Sequence, residues 1–340
     1  MDISAVERIM KEAGEPQFRV AQATQAVFGQ LISDWDEVTT LSAGLKAKLK
    51  AEVPISSLEL VTQSESTRGD TCKAAFKIRD GSLIETVLMR HKDGRHTVCV
   101  SSQAGCPMAC AFCATGTMGL KRNLTSEEII DQVLHFARTL KPLGESVTNM
   151  VLMGMGEPLH NYEAVMTALR TLHDPKNFNM GARRMSISTC GLVPGIIKLA
   201  DDELQLNLAV SLHAPTDELR SKIMPVNRAY PLAKLMPAIE EYADKTKRKV
   251  FFEYLLIKGL NDGLDVAEKL ADLLQHPLYH VNLIKYHTTG VFETSPYEQR
   301  MAFMDVLKKR EISVTHRISF GEDIDAACGQ LAAKQAKAAA

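Results

Sequence analysis

The sequence predicts an α/β fold, an incomplete barrel of (β/α)6 type preceded by a small helical domain. From residue 96 onward, apolar runs rich in β-branched residues alternate with amphipathic helical stretches, which is typical of a parallel sheet covered on both faces. Residues 1–52 instead carry apolar side chains at helical spacing. Residues 53–95 alternate apolar and polar positions, as antiparallel strands do.

The first two segments are predicted to be accessory to the barrel. Residues 1–52 contain the amphipathic stretches "AVERIMKEA", "VAQATQAVFGQLI" and "LSAGLKAKLKA", which indicate a helical accessory domain. Residues 53–95 include "CKAAFKIRDGSLIETVLMRH" and are predicted to form a β-ribbon extension. Asp80-Gly81 is the hairpin turn of that ribbon.

The barrel is predicted to span residues 96–332, and residues 333–340 to form a tail. Its helices are expected at about 126–140, 161–173, 231–245, 263–275 and 296–310. Its strands are expected at "TVCVSS", "NMVLMG", "RMSIST", "LNLAVSL", "KVFFEYLL", "YHVNLIKY" and "SVTHRISF". Polar and glycine-rich segments follow these strands, and chemistry in such barrels gathers at the carboxyl ends of the strands. We therefore expect the functional residues at that edge.

Composition indicates a globular protein. The 340 residues are 45% hydrophobic and 24% charged, and no run approaches the roughly 18 apolar residues of a membrane span. Charged residues stand where a signal peptide would be apolar, so a cytoplasmic protein is expected. Its formal net charge is -1, so nucleic-acid binding would need a local basic patch. Seven cysteines, an odd number, favour metal or redox chemistry over a disulfide framework.

The segment "CPMACAFC" places Cys106, Cys110 and Cys113 just after the first barrel strand. One interpretation is a chance grouping of structural cysteines. A structural zinc site is a second, but such sites are closed by four protein ligands, and the other cysteines are scattered singly with no Cys-x-x-His arrangement. Iron-sulfur ligation fits better, because three thiolates leave one iron of a cubane open for a reacting cofactor.

The C-x3-C-x2-C spacing, with an aromatic residue before the last cysteine, resembles that of the radical S-adenosylmethionine (SAM) enzymes. More narrowly, roughly residues 70–332 resemble the RlmN/Cfr family of rRNA adenine methyltransferases, and residues 1–50 resemble that family's accessory domain. The motifs that carry the resemblance are "VCVSSQAGCPMACAFCATGTMGLKRNLT", "MGMGEPLHNY", "SISTCGLVPGI", "SLHAPTDELRSKIMPVN" and "GEDIDAACGQL". The implied fold is a partial radical SAM barrel.

The resemblance implies that Cys106, Cys110 and Cys113 hold one 4Fe-4S cluster and that SAM is both radical source and methyl donor. The residues implied to cradle SAM are Gly156, Glu157, Ser188, Ser211, Leu212 and His213. The chain departs from the family at "NLIKYH", where the family pattern is N-x-I-P-x-N. Lys285 replaces the proline there, and His287 replaces the asparagine that contacts SAM.

Three further residues acquire roles from the resemblance. Cys328 would accept a methyl group from one SAM, Cys99 would resolve the protein–RNA adduct and leave a disulfide bond, and Glu85 would remove the ring proton. Without the resemblance, the two cysteines read as ordinary buried thiols and Glu85 as a solvated edge-strand carboxylate. Cys72 and Cys190 match no mechanistic position and are expected to be structural.

The implied activity is methylation at C2 of an adenosine of 23S rRNA, with tRNA as a candidate second substrate. Four alternatives remain. The protein methylates C8 instead of C2, it acts on a different RNA adenosine, it is a radical SAM enzyme with a non-RNA substrate, or it is a zinc or RNA-binding module without enzymatic activity. We expect a monomer with RNA bound partly by the helical domain, and an electron donor such as flavodoxin or ferredoxin. The candidate phosphate contacts are Lys121 and Arg122, Arg183 and Arg184, Arg220 and Lys222, 245–249 and 308–310. Only the first three pairs are expected to lie near the rim that carries the functional residues.

Overall fold

The structure is a computed structural model that describes residues 1–332, and the predicted tail at 333–340 lies outside the described residues. The strands are β1 Glu59–Glu65, β2 Thr71–Lys77, β3 Leu83–Arg90, β4 His96–Cys99, β5 Gln103–Gly105, β6 Leu120–Asn123, β7 Asn149–Leu152, β8 Met185–Thr189, β9 Asn207–Ser211, β10 Val250–Leu256, β11 Tyr279–Lys285 and β12 Val314–His316. The α-helices are α1 Ile3–Glu12, α2 Phe18–Phe28, α3 Ala43–Glu52, α4 Ser126–Leu140, α5 Tyr162–His173, α6 Val193–Ala200, α7 Asp217–Ile223, α8 Leu232–Thr246, α9 Leu264–Leu273 and α10 Tyr297–Lys309. Within this part of the chain, no helix has both the length and the apolar character to cross a membrane.

One mixed sheet of ten strands organises the fold, in the order β1-β2-β3-β4-β7-β8-β9-β10-β11-β12. β1 to β4 pair antiparallel, and from β4 to β12 every neighbouring pair is parallel. Helices connect successive parallel strands, because a tight turn cannot join two strands that run the same way. β5 and β6 form a separate two-stranded sheet, a hairpin that the sequence patterns did not predict.

β4, β9 and β10 are mostly buried, as continuous apolar sequences predict. β7, β8 and β11 alternate buried and half-buried positions, and β12 has no fully buried residue. α4 illustrates how the helices cover them: Thr125 and Glu128 form a capping box at its start, and its apolar face is buried. Each predicted strand and each predicted barrel helix has a counterpart in the structure. The short helices α6 and α7 were missed, because each is only about two turns long and its sequence resembles a loop after a strand.

The helical domain and the antiparallel strands are continuous with the barrel. A single apolar core includes residues of α1 to α3, of β2 and β3, and of the parallel strands. The indole of Trp35 is fully buried and donates to the carbonyl of Val53 at 2.7 Å. Arg138 of α4 donates to the carbonyl of Ile32 at 3.0 Å. The predicted β-ribbon is therefore an extension of the barrel sheet, and the boundaries at 52 and 95 remain predictions.

Candidate active site

A deep cavity opens at the carboxyl ends of the parallel strands, the edge at which the functional residues were expected. It is lined by strand-end residues of β4, β7, β8, β9, β10 and β11, together with the cysteine segment and the chain after β12. The predicted site residues in its wall are Cys99, Cys106, Cys110, Cys113, Gly156, Glu157, Ser188, Ser211, His213, His287 and Cys328. Glu85 and Leu212 are the two predicted site residues that do not line it.

The three clustered cysteines lie on a compact loop between β5 and β6. The N–H of Cys106 donates to the carbonyl of Gly119 and closes the base of the loop, and the N–H of Cys113 donates to the carbonyl of Cys110. A Cβ at Gly116 would lie 2.8 Å from the carbonyl oxygen of Cys110, so only glycine permits this approach. The sequence thus folds the cysteines into one tight loop whose thiols face the same cavity.

These cysteines suit a cluster better than a single ion. In the described residues, no three His, Cys, Asp or Glu side chains are grouped so that they could hold one metal ion, whereas the thiolates of a cubane bind different irons. Burial raises the pKa of the Cys106 thiol to about 12 and also raises the pKa of Cys110. Thiolates are the ligand form, so binding to a cationic cluster would offset the cost of deprotonating these buried groups.

Glu157 is a buried carboxylate that faces the cavity from the segment after β7. Its Oε1 accepts the N–H of Leu159 at 3.0 Å, which caps a short 3-10 helix, and its Oε2 accepts the N–H of Cys190 at 2.8 Å. Burial nevertheless raises its pKa. A cationic ligand beside this carboxylate would favour its charged form, which suits the ammonium group of SAM. Glu157 is therefore not a solvated helix cap at the surface, because the residue is only 4% exposed.

Gly156, beside it, has a structural reason to be glycine. Its φ is +102°, and a Cβ there would lie 2.6 Å from the Cβ of Gln103. That glutamine in turn accepts the N–H of Glu157 on its side-chain oxygen at 2.8 Å. The close approach of the two segments holds the Glu157 backbone against the base of the cysteine loop.

The next strand ends supply Ser188, Ser211 and His213. His213 is buried, and its Nδ1 accepts the N–H of Leu255 at 3.0 Å. Burial lowers its pKa to about 3, so the ring is neutral, and its edge packs against Phe112 of the cysteine loop. Leu212 turns away from the cavity into the core, with its N–H donating to the Glu253 carbonyl.

His287 is buried at the end of β11, in the wall of the cavity. Its Nε2 lies 2.9 Å from the hydroxyl of Ser319, and burial lowers its pKa. Lys285, which stands in place of the family proline, instead pairs with Glu322 at 2.7 Å. The histidine is therefore placed to offer a hydrogen-bonding group near the cavity.

Arg220 was predicted to contact RNA phosphate, and the structure shows that it cannot. The residue is fully buried in α7. Its guanidinium donates to the carbonyls of Leu212, Cys190 and Ser211 and to the side chain of Asn227. These donors tie together the loops after β8 and β9. Arg220 therefore has a structural role, because it stabilises the two loops that form this part of the cavity wall.

Most of the other candidate phosphate contacts lie away from the cavity. Arg183 and Arg184 immediately precede β8, 245–249 precedes β10, and 308–310 precedes β12, so these groups lie at the amino edge of the parallel sheet. The expectation that Arg183 and Arg184 are near the active rim is therefore wrong. Lys121 and Arg122, in β6, are on the correct side. Arg122 pairs with Glu128 and Asp80.

Cys99 and Cys328 line the same cavity, although they are far apart in the sequence, near the beginning and the end of the barrel domain. Cys99 ends β4 and is buried, and burial raises the pKa of its thiol to about 12, with the nearby Cys328 as the next cause. Cys328 is exposed to the cavity, yet the protein around it raises the pKa of its thiol. All seven cysteines are free, so the Cys99–Cys328 disulfide remains a prediction about turnover.

The C-terminal loop, residues 321–332, brings Cys328 to the cysteine segment. The N–H of Ala114 donates to the carbonyl of Gly329 at 2.8 Å, and the hydroxyl of Thr115 donates to the carbonyl of Leu331 at 2.6 Å. Both donors follow directly after Cys113. The last cysteine in the described residues is thus held beside the cysteine loop by one backbone and one side-chain hydrogen bond.

Glu85 lies in β3 and is 4% exposed, so the interpretation as a solvated edge-strand carboxylate is excluded. Its side chain is on the same face of β3 as Val87 and Met89, which do line the cavity. Its carboxylate contacts Lys73 at 3.2 Å and accepts the N–H of Ala332 at 2.9 Å. It is therefore near the C-terminal loop rather than in the cavity wall.

Three residues in the cavity wall were missed. Cys190, expected to be only structural, lines the cavity and its thiol contacts Glu157. Glu253 and Arg317 line it as well. The signals were present, since Cys190 and Arg317 directly follow strands and Glu253 is a lone charge inside the apolar run "KVFFEYLL". A charged residue in a buried strand requires a charged or hydrogen-bonding partner, and such a buried polar pair indicates a functional site.

A parallel barrel with three cysteines on the loop after its first strand, beside a glutamate-lined cavity, defines a radical SAM enzyme. Residues 100–274 match the Radical SAM superfamily. The crystal structure of a radical SAM methyltransferase from Sphaerobacter thermophilus superposes with a TM-score of 0.95 at 45% identity, covering 98% of each chain. The incomplete-barrel prediction is confirmed, and the superfamily implies a 4Fe-4S cluster and SAM as cofactors.

More specifically, the chain belongs to the RlmN family. A probable dual-specificity RNA methyltransferase RlmN of Halalkalibacterium halodurans is 47% identical over 339 residues, which cover 99% of this chain and 93% of the relative. A protein of the same description from Symbiobacterium thermophilum is 45% identical over 97% of this chain and 90% of its own length. The resemblance inferred from the motifs is thus confirmed.

Proposed function

We propose that the protein is a SAM-dependent radical methyltransferase that methylates C2 of an adenosine in 23S rRNA, and also acts on tRNA. One observation supports this most strongly: Cys99 and Cys328 line the same cavity as the three cysteines of the cluster loop. A radical SAM enzyme without a protein methyl carrier has no need of two additional thiols at that place. The description of the relatives as probable dual-specificity RNA methyltransferases agrees with this function.

Cys106, Cys110 and Cys113 would hold the cluster, and Glu157 with Ser188, Ser211 and His213 would hold SAM. When bound, cluster and SAM supply a radical that can abstract a hydrogen atom from a methyl group. The chain itself would exclude water from the cavity and fix the orientation of SAM. Buried Glu157 would receive the ammonium group, while the apolar wall, including Met153 and Leu255, limits access of water.

Cys328 would act as the methyl carrier. Adenine C2 is a poor nucleophile, so direct polar transfer of a methyl cation to it is unavailable at neutral pH. A thiolate at Cys328 can instead accept the methyl group as a thioether, and loss of a hydrogen atom from that thioether leaves a carbon radical that adds to the electron-poor ring. The adduct would then give up one electron to the cluster held by Cys106, Cys110 and Cys113, and its C2 proton to a base, which restores the aromatic ring. The loop bonds from Ala114 and Thr115 would keep the thioether beside the cluster loop.

Cys99 would release the product. Its thiolate would attack the Cys328 sulfur, forming the S–S bond as the S–C bond to the adenosine breaks, and the methylene carbon that leaves with the bonding electron pair would take up a proton from solvent to become the methyl group. The resulting disulfide accepts two electrons from an external reductant before the next turnover. We propose a flavodoxin or ferredoxin as the electron donor to the cluster, with a monomeric enzyme acting where rRNA is present, in the cytoplasm.

RNA would approach the cavity mouth with the target adenosine unstacked, since an enzyme cannot reach C2 inside a duplex. Lys121 and Arg122 are the candidate phosphate contacts on this side. The helical domain at residues 1–52 would provide a further contact surface. Such contacts would make the affinity for RNA fall steeply with salt.

Mass spectrometry of 23S rRNA from cells with and without this protein tests the assignment. The expected result is 2-methyladenosine at one position, lost on deletion and restored by the unaltered gene but not by Cys328→Ala. Appearance of 8-methyladenosine would replace C2 by the C8 alternative. No change in either nucleoside would overturn the rRNA substrate. Anaerobically purified protein should contain about four irons, and Cys110→Ala should lose them.

A further inference from the structure

Two side chains of the antiparallel strands hold the C-terminal loop on either side of Cys328. The Nζ of Lys73, in β2, donates to the carbonyl of Asp325 at 3.1 Å. The carboxylate of Glu85, in β3, accepts the N–H of Ala332 at 2.9 Å. Lys73 and Glu85 also form an ion pair, with 3.2 Å between Nζ and Oε1. The pair thus bridges the two flanks of the loop.

The strand register explains why these two side chains meet. In the antiparallel pair, Lys73 is opposite Val87 and Ala75 is opposite Glu85, so Lys73 and Glu85 are diagonal neighbours on one face. Their side chains are only 16% and 5% exposed. A charge pair removed from water needs good geometry and further hydrogen bonds to offset its desolvation. The carbonyl and the N–H of the C-terminal loop provide such hydrogen bonds.

The loop itself is sharply turned, which makes such external contacts important. Asp325 has a φ of +52° and Gly329 a φ of +86°, and the left-handed region is strained for a residue with a side chain. The carbonyl held by Lys73 belongs to the strained residue. Upstream, the N–H and hydroxyl of Thr67 donate to the carboxylate of Asp323, so the β1–β2 turn also contacts the loop.

We propose that Lys73 and Glu85 are positioning residues that fix the C-terminal loop and thereby keep the Cys328 thiol in the cavity. They act through the loop backbone at Asp325 and Ala332, not on the substrate. The proposal rests on the proposed role of Cys328 as methyl carrier. It gives Glu85 a different role from removal of the ring proton, since its carboxylate contacts the loop and does not line the cavity.

Hydrogen exchange of the C-terminal loop tests the proposal without cluster, SAM or RNA. In Glu85→Ala and Lys73→Met, peptides covering residues 321–332 should exchange about tenfold faster, a change equivalent to about 1.4 kcal/mol. Glu85→Gln, which keeps an acceptor for Ala332, should lie between these variants and the unaltered protein, and Lys73→Arg should be close to the latter. Lys77→Met is the matched control, because Lys77 is in the same strand and pairs with Glu59 at the surface. Equal exchange in all variants would overturn the proposal.

The second experiment separates positioning from proton removal. Reconstituted enzyme is given SAM with a deuterated methyl group, and labelling of Cys328 is followed by mass spectrometry in a single turnover, before RNA is added. Because positioning acts before RNA arrives, Glu85→Ala and Lys73→Met should label Cys328 about tenfold more slowly and should not accumulate a covalent RNA adduct. Lys73→Arg should restore the rate of labelling.

One set of results would overturn the proposal and make Glu85 the base that removes the ring proton. In that case Cys328 labelling and loop exchange are normal, and a covalent RNA adduct accumulates in Glu85→Ala and Glu85→Gln but not in Lys73→Met. Failure of the unaltered, reconstituted protein to label Cys328 would refute the methyl-carrier function. The exchange experiment would still decide whether Lys73 and Glu85 hold the loop.

Discussion

The guanidinium of Arg317 lies 3.0 Å from the Glu253 carboxylate, and both side chains line the cavity shared by Cys99 and Cys328. Asn282 donates to the other carboxylate oxygen at 3.0 Å, so the ion pair is fixed from both sides. Desolvation by the surrounding protein raises the pKa of Cys328, the charge of Arg317 lowers it, and that of Glu253 raises it. The two members of one ion pair therefore act on the carrier thiol with opposite sign.

Glu253→Gln should make Cys328 more reactive, and Arg317→Met should make it less reactive. Losing the carboxylate favours the thiolate of Cys328, whereas losing the guanidinium disfavours it. The measurement is the pH profile of iodoacetamide alkylation of Cys328, read from its peptide by mass spectrometry. The double variant Glu253→Gln/Arg317→Met controls for the buried charge that each single change leaves unpaired. If the pKa of Cys328 from the alkylation profile shifted in the same direction in both single variants, the opposite effects of Glu253 and Arg317 would be refuted.

Resolution of the RNA adduct by Cys99 should accelerate steeply with pH. The attacking species is the thiolate, and the pKa of Cys99 is raised to about 12, first by burial. Below that pKa the thiolate fraction increases about tenfold per pH unit, so release should be roughly a hundredfold faster at pH 9 than at pH 7. Adduct formed at pH 7 is shifted to each pH and free methylated RNA is quantified. A flat profile, or release by Cys99→Ser at the same rate, would exclude Cys99 as the resolving thiol.

The strands and the cavity edge were predictable because most parallel strands are runs rich in apolar and β-branched residues followed by a polar or glycine-rich turn. The position of Arg220 was not, since an arginine on a short helix reads as solvated until the surrounding carbonyls are seen to converge on it. The same holds for Glu85, whose partner Ala332 is far along the chain. Side chains that satisfy distant backbone groups leave no periodic signal in the sequence.

Arg220→Met should destabilise the fold rather than weaken RNA binding specifically. The change leaves the acceptors on Leu212, Cys190, Ser211 and Asn227 without their donor, and several buried acceptors lost together should cost about 3 kcal/mol or more of unfolding free energy. Urea denaturation measures this cost. Lys222→Met, on the same helix and 54% exposed in its pair with Glu218, should change stability by less than about 0.5 kcal/mol. Unchanged stability with reduced RNA affinity in Arg220→Met would restore the phosphate-contact interpretation.

His135 should make the protein sensitive to mild acid. Its ring packs edge-on against Phe76, and burial, followed by the charge of Arg138, lowers its pKa to about 4. An unfolded histidine binds a proton below about pH 6.5, whereas the folded one stays neutral until about pH 4. The stability due to the neutral ring is therefore complete above pH 6.5 and is lost as the pH falls from 6.5 towards 4. Urea denaturation gives the free energy of unfolding at pH 7 and at pH 5. Between these two pH values, the unaltered protein should lose about 1 to 2 kcal/mol more of that free energy than His135→Gln does. An equal loss in the two proteins would mean that His135 takes up its proton without opposing the fold.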